Sequence, residues 1–212
     1  MSASTTPTPA STTPPSATLR ELFGLPGALP RLAESTLVMI DFQNTYRSGA
    51  LALEGAEPAL AAGARLLAAA RADGRPVVHV VNDAGEGTLY DIRAETGAIS
   101  AEVAPRDGEP VVVKQVPNAF HATELEKTLR ELGAGPDLVI AGFMTHMCVT
   151  FTAQGAFYLG YRPCVVAEAT ATRALTAPDG TPVPAAALQS ASLTTIADLF
   201  GTVAPTVEAL LA

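Results

Sequence analysis

From residue 37 onward, apolar residues fall into short unbroken runs, separated by stretches in which they recur every three or four positions. The runs at 37–40, 77–81, 111–113, 138–142 and 164–167 are too short for helices, and most are rich in β-branched side chains. Apart from His79, they are apolar at consecutive rather than alternate positions, which predicts strands buried on both faces. Between them lie helix-period stretches. Pro58 opens one, with Leu60, Ala64 and Leu67 on one face and Gly74 and Pro76 as its stop. Thr123 and Glu126 have the spacing of a capping box ahead of Leu125, Leu129 and Leu132. Val149, Ala153, Ala156 and Phe157 mark a third helix. Pro184 opens a fourth, carrying Leu193, Ile196, Ala197 and Phe200 and closed by Gly201, and a short last strand follows at Thr202 and Val203. Strands alternating with amphipathic helices predict an α/β fold on a parallel sheet covered on both faces. No internal repeat or break in composition marks a second domain.

The stretch before this pattern is different in kind. Every residue from Ser2 to Thr18 is Ser, Thr, Ala or Pro, including Pro7, Pro9, Pro14 and Pro15. It has neither the basic start nor the apolar centre of a secretory signal, and no Arg precedes Arg20, as a transit peptide would require. The expected organisation is a disordered arm over residues 1–18 followed by one folded domain over 19–212. A cytoplasmic location follows as the expectation, with Cys148 and Cys164 as free thiols.

Composition narrows the partners. The 212 residues suit one domain with a full-sized core. The net charge is −8, and the 13 basic residues are scattered, which argues against a nucleic-acid partner. No apolar run reaches the roughly 18 residues needed to span a bilayer, so no membrane partner is expected. Only 16% of residues are charged, against about 25% in a typical chain. With a mean hydropathy of +0.27, this predicts surface buried between subunits, in a homo-oligomer of two or more copies.

The chemistry is narrowed first by what is missing. Asp41-Phe42-Gln43-Asn44-Thr45-Tyr46 follows the first strand, where a dinucleotide site would place three spaced glycines. Gly85 and Gly87 offer only a fragment of that pattern and read as a loop. There is no phosphate-cradling Gly-Lys-Ser/Thr loop, no Gly-x-Ser-x-Gly elbow and no His-Glu-x-x-His helix. Three dispersed histidines call for no metal or cofactor.

What remains sits at the C-terminal ends of predicted strands, where open parallel sheets bind small-molecule ligands. Asp41 ends the first strand, Lys114 the third, and Cys148 follows the fourth at a helix start. Taken singly, each has an ordinary reading: a turn-capping Asp, a Lys snorkelling from a sheet edge, a Cys packed as a small hydrophobe. Together they are a base, a cation and a nucleophile. A helix N-terminus and a nearby Lys would favour the thiolate of Cys148, and the turn's N–H groups could receive an oxyanion. Cys164, inside an apolar strand, reads as structural. Tyr46, Phe120 and His146 lie close in sequence to the three and are candidates to line a substrate site. Gln43 reads as a brace for the loop after the first strand.

The segments Leu37–Tyr46 (LVMIDFQNTY), Val113-Lys114, Gly142–Ala153 (GFMTHMCVTFTA) and Gly160–Thr172 (GYRPCVVAEATAT) resemble the isochorismatase-like cysteine hydrolase superfamily. The likeness runs from about Ser35 to the C-terminus. It implies a three-layer α/β/α fold on a six-stranded, mostly parallel sheet and an Asp–Lys–Cys triad at Asp41, Lys114 and Cys148. It also implies a non-prolyl cis peptide at Phe143–Met144, with the N–H groups of Met144 and Cys148 as the oxyanion hole.

Within the family, isochorismatases proper cleave a vinyl ether and typically lack the cysteine. Nicotinamidases carry a metal site with Asp-x-His after the second strand, where Asn82-Asp83-Ala84-Gly85 stands here. The turn Met144–Cys148 looks most like the metal-free amidohydrolases, which include streptothricin-hydrolase-like enzymes. The resemblance therefore implies cleavage of a C–N bond in a small amide, ureido compound or lactam through a thioester on Cys148. Asp41 would act as general base and acid, and Lys114 would stabilise charge. The alternatives are a vinyl-ether hydrolase initiated by Asp41, a nicotinamidase, and an inactive binding or scaffold member of the fold.

Overall fold

The computed structural model describes residues 16–211. Most of the expected arm lies outside the described residues. Thr18, assigned to that arm, instead caps a first short helix, α1 (Leu19–Leu22), in a reciprocal capping box with Glu21. The Leu19 N–H donates to Asp198 Oδ1 at 2.9 Å, tying this helix to the far end of the chain.

Six strands form the central sheet: β1 (Thr36–Ile40), β2 (Val77–Asn82), β3 (Val111–Lys114), β4 (Asp137–Phe143), β5 (Arg162–Ala171) and, last in the chain, Thr202–Ala204. The spatial order is β3-β2-β1-β4-β5 and then the last strand, with every pairing parallel. The order reverses beside β1, and open sheets leave a crevice beyond the strand ends at such a point. Two short strands, β6 (Leu175–Thr176) and β7 (Pro182–Val183), make a separate antiparallel hairpin, so the last sheet strand is β8.

Side-chain alternation splits the core in two. Leu37 and Met39 face α2 (Ala56–Ala72) together with Val77, Val139 and Phe143. Val38 and Ile40 face the opposite layer, packing with Leu125 and Leu129 of α3 (Leu125–Glu131) and Ala153 and Ala156 of α4 (Thr150–Tyr158). Helix α5 (Ala185–Thr195) packs beside α4. This is the expected three-layer architecture.

Several boundaries differ for local reasons. Helix α2 starts at Ala56, because Gly55, at φ +79°, turns the chain; Pro58 is then its third residue, where a missing N–H costs nothing. The capping box expected at Thr123 and Glu126 does not form. Helix α3 begins one residue later than that spacing requires, with Glu124 at its N-cap. Thr123 Oγ1 instead donates to the Ala119 carbonyl and accepts from Leu125 N–H. Strand β5 runs well past Ala167, since Thr170 and Ala171 pair with Gly142 and Phe143 beyond a register shift.

Candidate active site

Asp41 enters the site through its backbone. Its N–H still donates to the Val80 carbonyl at 2.9 Å, so it holds the sheet ladder, but its φ of +50° ends the strand there. Strand alternation alone would send its side chain toward α2, with Leu37 and Met39. The left-handed turn stops that alternation. Lys114 needs no such device: on β3 it shares a face with Val112, which packs in the α3/α4 layer.

Cys148 is delivered to the same layer by the end of β4. Gly142 lies opposite Ile40 with φ +133°, and a β-carbon there would fall 1.8 Å from the Ile40 carbonyl oxygen. The next peptide, Phe143–Met144, is cis. The Met144 carbonyl then accepts from the N–H groups of Met147 (3.0 Å) and Val149 (3.3 Å). These bonds wind residues Thr145–Val149 into a single π-type turn before α4. Cys148 sits inside this turn, two residues ahead of the α-helix, where the sequence pattern places a helix start.

The three side chains meet. Lys114 Nζ lies 2.7 Å from Asp41 Oδ2 and 3.3 Å from Cys148 Sγ. All are buried, with Asp41 0% and Cys148 5% exposed. Burial raises the Asp41 carboxyl, and the Lys114 charge pulls the other way without cancelling it. Burial opposes the Lys114 charge, yet Asp41 and Cys148 together hold its ammonium above the ordinary lysine value. The Cys148 thiol is pushed up to about 12, by burial first and by the Asp41 charge second. Burial and the Asp41 charge thus both oppose ionisation of the thiol, and the Lys114 charge favours it. The thiolate expected from the helix N-terminus and Lys114 is outweighed by desolvation and by the carboxylate.

The expected lining residues part company. Tyr46 is fully buried; its ring packs on Phe143 at 5.7 Å, and its hydroxyl meets that of Tyr90 at 3.2 Å. It lies within electrostatic reach of Asp41 and Cys148, and burial holds its hydroxyl protonated. His146 Nδ1 is 2.6 Å from Thr172 Oγ1, and burial, followed by the Arg173 charge, lowers its pKa. Phe120 stacks its ring on Tyr161, which leads into the N-terminal end of β5, and packs against the layer that holds Cys148. Gln43 braces the rim as expected: its amide N donates to the carbonyls of Asn82 and Gly97, and its oxygen accepts from Asn82 N–H.

Other rim groups carried no sequence signal. Tyr90, in an irregular loop, feels the charges of Cys148, Asp41 and Lys114. Asn82 Oδ1, Thr145 Oγ1, Arg173 Nε and Gln189 Oε1 are buried without hydrogen-bond partners. Asn82 ends β2, Thr145 follows β4 and Arg173 follows β5, so these orphaned polar atoms gather at the edge that holds the trio. A cleft of about 320 Å³ lies beside this edge, between the starts of α2 and α5, with Thr172 and Gln189 in its wall. Among the described residues, no three His, Cys, Asp or Glu side chains cluster as a metal set. Nor is any helix among them long and apolar enough to cross a membrane.

Known proteins share this architecture. An isochorismatase from Pseudomonas putida KT2440 superposes with a TM-score of 0.87 at 40% identity, covering 91% of this chain and 98% of that one. A secreted isochorismatase effector of Verticillium dahliae is 34% identical over 184 residues, 86% of this chain and 94% of the relative. A streptothricin hydrolase of Streptomyces noursei is 34% identical over 155 residues, 73% of this chain and 56% of the relative, and further relatives bear the name amidohydrolase. The isochorismatase domain matches residues 35–208, which include every residue of the trio. The chain belongs to the isochorismatase family of hydrolases.

Proposed function

We propose that the protein hydrolyses a C–N bond of a small amide, ureido compound or lactam, with Cys148 as nucleophile. The observation that carries this reading is the buried contact of Lys114 Nζ with both Asp41 (2.7 Å) and Cys148 (3.3 Å). It sets a base and a nucleophile on one cation, out of water. Relatives named amidohydrolases support the bond class, and a cysteine at the centre is not needed for acid-initiated vinyl-ether cleavage.

With a thiol near 12, sulfur loses its proton as it bonds to carbon rather than before. Asp41 takes that proton while Sγ attacks the carbonyl, and the N–H groups of Met144 and Cys148 receive the oxyanion. Lys114 keeps its charge throughout and offsets the negative charge as it moves from carboxylate to substrate oxygen. The tetrahedral species collapses as the C–N bond breaks and Asp41 passes its proton to the leaving nitrogen. Water then attacks the thioester, giving one proton to Asp41 as its oxygen bonds to carbon. The C–S bond breaks, and Asp41 returns that proton to sulfur.

The test is a panel of small amides, ureido acids and lactams assayed for release of ammonia or amine, with rapid quench and mass spectrometry of the protein. A shift on Cys148 equal to the acyl part of a turned-over substrate is expected. Turnover of a vinyl ether without any adduct, at full rate in Cys148→Ala, would move the assignment to acid chemistry at Asp41. A chain inert toward the whole panel, with a Cys148 of ordinary thiol reactivity, would be a binding member of the fold.

A further inference from the structure

We infer that a second copy of this chain docks on the outer face of α4 and α5, across a two-fold axis that sets the aromatic stripe of each copy against the small-residue stripe of the other. Neither helix carries an Asp, Glu, Lys or Arg, whereas α3, only seven residues long, carries Glu126, Lys127, Arg130 and Glu131.

On α4, Phe151 and Tyr158 stand two turns apart on one side, 40% and 68% exposed, with Leu159 following. Tyr158 also closes a three-ring cluster with Phe157 and Phe200, at centroid distances of 5.9 to 6.1 Å. On α5, Ala187, Ser190, Ala191 and Thr194 are exposed at helical spacing, a shallow stripe beside the bulky one. The face continues over the turn Ile196–Phe200 to α1 and its C-cap, where Leu22 and Phe23 are exposed. The charged groups at that end are engaged. Asp198 accepts from Leu19 N–H, and Arg20 donates to the Leu199 and Pro26 carbonyls.

Charge, shape and area together select the occupant. With −8 on each chain, two copies repel over most of their surfaces. No charge on α4 or α5 adds to that repulsion or has to be stripped of its hydration. A basic partner would find no carboxylate on these helices to pair with, and a membrane-lying face needs the Lys and Arg that they lack. Cores of protein interfaces are likewise depleted in charge and enriched in Tyr and Phe. Under a two-fold axis the same patch meets itself, so knobs on α4 and a shallow stripe on α5 are complementary as they stand. Helix α5 and the turn behind it span about 24 Å, and two packed helices measure about 20 Å across. That is roughly 500 Å² in projection before α1 is added, and side-chain relief brings it toward the roughly 800 Å² per partner of a stable dimer.

The test is the mass of the full-length protein in sedimentation velocity at micromolar concentration. Wild type is expected at an even multiple of the 21.7 kDa of one chain. Tyr158→Glu and Ala187→Glu, both at exposed helical positions, are each expected to halve that mass with the circular dichroism unchanged. Val113→Glu, exposed on the edge strand β3, and deletion of residues 2–15 should leave the mass as it is. A single chain in wild type overturns the proposal. So does an assembly that survives both face variants, or one that dissolves instead with Val113→Glu or without residues 2–15. Hydroxyl-radical labelling gives a second readout: Tyr158 should label at least threefold more slowly in wild type than in Ala187→Glu. Equal rates overturn the proposal as firmly.

Discussion

The Ile40 carbonyl oxygen occupies the place where a β-carbon on Gly142 would go, 1.8 Å from its ideal position. The strand that delivers Asp41 and the strand that delivers Cys148 thus touch backbone to backbone just below the site. Neither side can yield, since the oxygen belongs to the central strand of the sheet, and φ at Gly142 is +133°. We expect Gly142→Ala to cost more than about 4 kcal/mol, seen as lost soluble yield or a collapsed thermal transition. A midpoint within about 3 °C of wild type would show that the close approach is dispensable.

Cys148→Ala exchanges one small buried side chain for another, so the fold should survive with little change in thermal midpoint. Hydrolysis should fall to background. Because the trio acts as a unit, Asp41→Asn combined with Cys148→Ala should be no slower than Cys148→Ala alone. Additive losses measured in steady-state kinetics would contradict a shared mechanism.

The charges around Cys148 give opposite signs for its two neighbours. The Asp41 charge raises the thiol and the Lys114 charge lowers it. In Asp41→Asn the rate–pH profile for iodoacetamide should therefore move to lower pH, although hydrolysis is lost with the base. In Lys114→Met the profile should move to higher pH. Breaking the buried pair also costs about 3–5 kcal/mol where the remaining charge persists, and the already raised Asp41 carboxyl limits this by taking a proton. Profiles that stay in place in both variants would exclude direct electrostatic contact.

Away from the site, Glu109 controls acid stability. It accepts twice from Arg71 at 2.7 Å, once from Arg106 N–H and once more at His79 Nε2. The hydrogen bonds from Arg71 foremost hold it at about 2, below the ordinary carboxyl value of 4.5. A carboxyl depressed by folding stabilises fully above its unfolded value, and that contribution is lost as pH falls through the folded one. Its share, on the order of 2 kcal/mol, should disappear between roughly pH 4.5 and 2. Burial lowers His79, which adds a further decline as pH drops below its unfolded value of about 6.5. Urea unfolding should show Glu109→Gln less stable than wild type at pH 7 and nearly equal to it at pH 2. An equal gap at both would refute the assignment.

The legible and illegible parts of this molecule divide along physical lines. Strand cores announced themselves because burial on both faces demands runs such as Leu37–Ile40 and Leu138–Gly142, and the trio was visible because each member closes or follows such a run. Tyr90 and Arg173 were not, since loop residues obey no period, and their positions depend on where β5 stops. That end was hidden too: Glu168, Thr170 and Thr172 interrupt the apolar run, although the chain stays extended through Ala171. The stacking of Phe120 on Tyr161 was hidden too, because nearness to Lys114 in sequence says nothing about the direction of its ring. The loop after β3 is pinned to the first turn of α4, where Ala119 N–H donates to Thr152 Oγ1. The π-type turn at Cys148 follows from the carbonyl geometry of Met144, which no residue pattern encodes.

Cys164 offers an internal gauge of how the sheet opens. It lies between Val139 of β4 and Thr202 of β8, with 0% exposure, and burial pushes its thiol up. No local fluctuation of the rim uncovers it; a reagent reaches it only when neighbouring strands separate. In Cys148→Ala it is the single thiol left in the chain. The rate at which it is labelled in native buffer, divided by the rate for an unfolded chain, then measures the equilibrium of that separation without denaturant.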